Sequence, residues 1–158
     1  MSFLKTSIDK ALALLAARAR TAIELERALQ RAGYGERERK SALARMKELG
    51  YIDDREVART RARARVERGD APRLAVRKLE AQGVAAAEAR QAASEAAEGA
   101  GEDELAARAL RKRLRGRQPA DEREKRRHLR ALIAKGHRPS AAAKALGMEW
   151  EGDDDLED

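Results

Sequence analysis

The stretch GYIDDREVARTRARARVERG, residues 50–69, places five arginines within ten positions: Arg59, Arg61, Arg63, Arg65 and Arg68. A guanidinium stays charged at neutral pH, and its planar fork of donors matches pairs of phosphate or carboxylate oxygens. On a helix, Ala58, Ala62 and Val66 form one narrow apolar stripe. Arg59 and Arg63 flank it on one side, and Arg61, Arg65 and Arg68 on the other at i, i+4, i+7. Such a helix is expected to pack through alanine and project cations on both flanks. A second set, Arg108, Arg111, Lys112 and Arg115, gathers on one face of EDELAARALRKRLRG, beside Ala106, Leu110 and Leu114. Charge runs are commonly solvated faces held by i,i+4 pairs with glutamate, and that account suits ERALQR and GERERKSALAR. The latter halves of the two basic helices hold few carboxylates, so these nine cations are the candidate contacts to a polyanion or an acidic surface.

Other chemistry is sparse. Asp53 and Asp54 precede REVA, a place that suits a helix N-cap better than a pair of catalytic carboxylates. His128 and His137 stand nine apart, without metal-ligand spacing, and no cysteine supplements them. The glycines of GYGERERK match no nucleotide fingerprint. No nucleophile is paired with a base. The expectation is a non-enzyme without catalytic residues, cofactor or metal.

The elements that hold the cations follow from composition. Charged residues make up 40% of the 158, aromatics 3%, and 35 residues are alanine. Alanine forms helix readily and buries little area. No segment alternates as a strand does, so the expected class is all-α with thin helix contacts. Three segments repeat: LERALQRAGY, AVRKLEAQGV and HLRALIAKGH. Their glycines, Gly33, Gly83 and Gly136, are spaced 50 and 53 apart, with Leu29, Leu79 and Leu132 four residues before. A leucine four before a glycine suits an amphipathic helix closed by a left-handed cap. Further helices end at Gly50, Gly69, Gly116 and Gly147.

The predicted organisation is an elongated, curved tandem array of three-helix repeats preceded by an N-terminal helix. That helix falls in residues 1–19, at about Thr6 to Arg18. Repeats follow at 20–69 and 70–117, a partial repeat at 118–148, and an acidic disordered tail at 149–158. The last ten residues hold seven acidic groups, so a formal net charge of +7 becomes +14 on the preceding 148. A body this basic favours a polyanion or an acidic protein surface. No apolar run spans a bilayer and the N-terminus lacks a signal-peptide core, so a cytoplasmic monomer with no membrane contact is expected.

GYIDDREVA resembles the signature of the RecX family, bacterial regulators of the RecA recombinase. ALALLAARARTAIELERALQRAGY upstream and RLAVRKLEAQGV downstream resemble two further family helices, and the likeness runs over roughly residues 8–147. Val57 stands where family members commonly carry Phe, and the acidic tail lies outside the pattern. The resemblance implies a non-catalytic helical-repeat protein that binds the RecA–DNA filament. It also implies inhibition of recombinase, ATPase and coprotease activities, and so modulation of DNA repair and the SOS response. Two other readings of the residues stay open: non-specific binding to single- or double-stranded DNA, and a helical adaptor for another acidic protein. The scarcity of aromatics weighs against base stacking.

Overall fold

A computed structural model describes residues 6–152. Among the described residues it contains nine α-helices and no strand: α1 (Ser7–Ala17), α2 (Ala22–Arg31), α3 (Glu36–Glu48), α4 (Asp54–Glu67), α5 (Pro72–Ala81), α6 (Ala86–Ala97), α7 (Glu102–Leu114), α8 (Glu122–Ala134) and α9 (Pro139–Ala145). Thr6 and Thr21 cap α1 and α2 with reciprocal bonds to Asp9 and Glu24. Asp53 caps α4, its Oδ1 accepting from Glu56 N at 3.0 Å, in line with the cap expected there. Pro72 and Pro139 open α5 and α9, where a missing N–H costs nothing.

Three separate apolar cores hold these helices. The first joins Ala11, Leu25, Leu29, Ala42 and Met46. The second joins Ala58, Ala62, Leu79, Val84, Ala89 and Ala92. The third joins Ala109, Leu110, Leu114, Leu132, Ala142 and Leu146. Leu29, Leu79 and Leu132 are fully buried, one in each. Packing therefore groups α1–α3, α4–α6 and α7–α9.

This grouping is displaced by one helix from the division expected at residues 20, 70 and 118. The helix placed within residues 1–19 belongs to the first packed unit, α4 opens the second, and the third has all three helices. A three-helix period can be cut in three frames without changing its spacing, and side-chain burial selects one. Residues 1–5 and 153–158 lie outside the described residues, and with them most of the expected tail.

The units join through their middle helices. Thr21 Oγ1 donates to Gln82 O at 2.8 Å, and Ala71 N to Lys135 O at 2.8 Å. Gly83 and Gly136 sit at these junctions with φ of +87° and +86°. A Cβ on Gly83 would lie 2.7 Å from Ile23 Cβ, and one on Gly136 would lie 2.7 Å from Leu74 Cβ. Both glycines thus serve a left-handed cap and a close approach at once.

Candidate functional site

The sequence of α4 sets its orientation. Ala58 and Ala62 are fully buried against the second core, which draws α4 close to α6. Arg59 and Arg63 then emerge at the edge of the α4–α6 contact. They line a groove of about 530 Å3 together with Glu56, Thr60, Glu67 and Glu95, over Ala64, Ala92 and Ala96. Arg63, Glu67 and Ala96 also line a second groove of about 270 Å3, which continues to Arg108 and Lys112 on α7. The two basic helices thus meet along one cleft with an alanine floor.

The cations of this cleft are held differently. Arg59 Nε donates to Glu95 Oε2 at 3.0 Å, while Arg108 pairs with Glu104 and Lys112 donates to Glu67 O. The Gln91 amide and the Arg59 guanidinium hold the Glu95 carboxyl below its usual range. Arg63 makes no ion pair among the described residues. Arg111 and Arg115 are exposed. Arg68 is exposed as well, its Nε donating back to Ala64 O at 3.1 Å.

The other flank of α4 departs from the expectation that it projects into solvent. Arg61 turns into the junction with the first unit. Its guanidinium donates to Glu24 Oε1 at 3.0 Å and Oε2 at 2.8 Å, to Gln82 Oε1 at 2.8 Å and to Ala19 O at 3.1 Å. Its side chain is only 20% exposed. Burial raises the Glu24 carboxyl, but the Arg61 side chain and the Thr21 backbone outweigh it and leave the value below 4.5. Arg65 reaches Asp70 Oδ2 at 3.2 Å, and Lys135 from the third unit reaches Asp70 Oδ1 at 3.0 Å. A short apolar stripe leaves both flanks equally open in sequence, and the neighbouring unit closes one of them.

Sequence reasoning missed the carboxylates Glu56, Glu67 and Glu95 that interleave with the cations. Glu95 is 36 positions from Arg59, so no local spacing announces their contact. The histidines are both buried and stand in different surroundings. His128 receives Arg113 Nε at 3.4 Å, and His137 Nε2 lies 2.9 Å from Gly69 O across the junction of the second and third units. Among the described residues, no group of three or more His, Asp or Glu could hold a metal. No helix there is long and apolar enough to cross a membrane.

Residues 8–46, which span nearly all of α1–α3, match the family model described as the first three-helix domain of RecX. Among solved structures, the chain resembles the crystal structure of RecX from Lactobacillus salivarius. That match has a TM-score of 0.66 and 18% identity, over 89% of this chain and 92% of that one. It also resembles a crystal structure of regulatory protein RecX, with a TM-score of 0.64 and 19% identity over 89% of this chain and 70% of that one. The search of curated proteins found no match.

Proposed function

We propose that the chain is a RecX-family protein, a reading supported by the match of its first three-helix unit and by its fold, and that it regulates RecA by docking on the RecA–DNA filament. Docking would limit recombinase, ATPase and coprotease activity, and the protein would act by occupancy without catalysis. The observation that carries the reading is the cleft shared by α4, α6 and α7, where Arg59, Arg63, Arg108 and Lys112 stand among carboxylates over an alanine floor. Arg68, Arg111 and Arg115 extend the positive surface beyond it. Mixed charge suits a nucleoprotein surface, which presents side chains of both signs as well as phosphates. Arg61 and Arg65 support this surface from within the fold.

The test is RecA ATPase on single-stranded DNA with the protein added far below the RecA concentration. Inhibition at such ratios supports filament docking. A requirement for enough protein to coat the DNA instead supports non-specific DNA binding, and no inhibition at any ratio overturns the reading. The variant Arg63→Ala/Arg108→Ala/Lys112→Ala is expected to stay folded, bind the filament more weakly and show a shallower salt dependence.

A further inference from the structure

The outward face of α8 carries four arginines that the third unit does not use for packing. His128 and Leu132 are buried, and Leu129 and Ile133 pack against the third core, so these four set the inner face of the helix. At about 100° per residue, Arg123, Arg126, Arg127 and Arg130 fall on the opposite side, and all four are exposed. Arg127 pairs with Glu124 Oε1 at 3.0 Å, but that carboxylate also receives Arg117 at 2.6 Å and Ala120 N at 2.7 Å. Glu122 is taken by Lys125 at 2.8 Å. Among the described residues, the side chains of Arg123, Arg126 and Arg130 make no hydrogen bond or ion pair.

Helix formation does not account for these cations. Positive charge is favoured in the last turn of a helix, and the last turn of α8 holds none. Arg123 stands in the first turn, where the dipole opposes it. Arg123 and Arg127, and again Arg126 and Arg130, are like charges at i,i+4 that repel each other. A solvated face in this chain looks different: on α3, Lys40 pairs with Glu36 at 2.6 Å and Arg45 with Glu48 at 2.8 Å. The cleft of α4, α6 and α7 differs too. In its larger groove Glu56, Glu67 and Glu95 outnumber Arg59 and Arg63, so a row of phosphates would meet carboxylates there. On the outward face of α8 it would meet guanidinium groups alone.

We propose that the outward face of α8 is a second binding surface, one that takes the phosphate backbone of nucleic acid without reading its sequence. From Arg123 to Arg130 the face runs on the order of 10 Å at ~1.5 Å per residue. That length meets about three charges on one strand of a duplex. The planar fork of each guanidinium matches phosphate oxygens. No aromatic or large aliphatic side chain stands among the four arginines on this face. It therefore offers no platform for stacked bases, and no apolar wedge of the kind that seats a helix in a lipid surface. The face belongs to a different helix from those that form the cleft. Its test needs no recombinase, so its failure leaves the docking on RecA standing.

The probe is a fluorescently labelled duplex DNA of random sequence, titrated with the full chain over a salt series and read by anisotropy. Arg123→Gln/Arg126→Gln/Arg130→Gln should bind about ten-fold or more weakly, with a slope of log affinity against log salt shallower by about two to three. Glutamine keeps the helix and the three side chains hold no contact, so an unchanged thermal unfolding curve checks the fold. Arg37→Gln/Lys40→Gln/Arg45→Gln removes the same net charge from α3 and should change the affinity by about three-fold at most, because distant charges are screened. Arg123→Lys/Arg126→Lys/Arg130→Lys, which keeps the charge, should retain most of the binding. Equal affinity and salt slope for the wild type and the α8 glutamine variant overturn the proposal, and so does an equal loss in the α3 variant. A loss seen with phosphatidylserine vesicles but not with the duplex assigns the face to lipid and overturns it as well.

Discussion

Arg61 and Arg63 stand two positions apart on α4 and have opposite roles. Arg61 is enclosed by Ala19, Glu24 and Gln82. Its removal strands the Glu24 carboxylate, itself only 16% exposed, at a unit junction. Arg61→Ala is therefore expected to cost about 1–3 kcal/mol, in the range for a charge pair broken away from bulk water. Arg63→Ala, in the open cleft, should stay within about 0.5 kcal/mol. Urea unfolding of the two variants checks the contrast. The junction also has an acid limit. The folded Glu24 carboxyl titrates below 4.5, so its stabilisation is complete above that value and is lost as pH falls through the folded one. Arg61→Ala should flatten that part of the pH–stability curve.

At the scale of the helix and its cap, glycines of one conformation differ in what surrounds them. Gly33→Ala meets only the strain of a left-handed residue, about 1–2 kcal/mol. Gly83→Ala adds a collision with Ile23, whose Cβ would be 2.7 Å away, and should cost about 1–3 kcal/mol more. Thermal unfolding of the two variants measures the difference, and equal losses would show that the junction yields freely. Leu79 is fully buried in the second core, so Leu79→Ala should cost about 2–5 kcal/mol. Amide exchange should then rise first in α4–α6, because the other two cores keep their own contacts.

The whole molecule is an array of small cores joined by narrow polar seams. It exposes 10342 Å2, against about 7,900 Å2 for a compact protein of this mass. Its seams carry ionisable groups, so shape and pH are linked. His137 donates across the seam between the second and third units to Gly69 O. Burial holds its pKa below 6.5, with Lys135 and Arg73 acting in the same sense and Gly69 O and Asp70 opposing them. The neutral ring is the form that fits. The seam is at full strength above about pH 6.5 and weakens as acid protonates the ring. The protection factors of Gly69 and of α8, taken against the intrinsic exchange rate at each pH, should fall between about pH 7 and pH 5. His137→Gln keeps a donor without titrating, and it should remove that fall.

The helices, their caps and their fifty-residue period were legible in the chain, because alanine content, capping side chains and glycine stops act over a few residues. Thr6, Asp53 and Gly33 take the local roles their neighbours dictate. The nine cations were legible as positive charge on helices, but their division was not. Whether Arg61 or Arg63 faces solvent depends on Glu24 and Gln82, which are 37 and 21 positions away from Arg61. The frame of the repeat was likewise undecided, since three helices in rotation read alike from any start. Burial around Leu29, Leu79 and Leu132 selected one frame. Local propensity determined what each segment is. Only the packing of one unit on the next decided which charges hold the array together and which stay exposed.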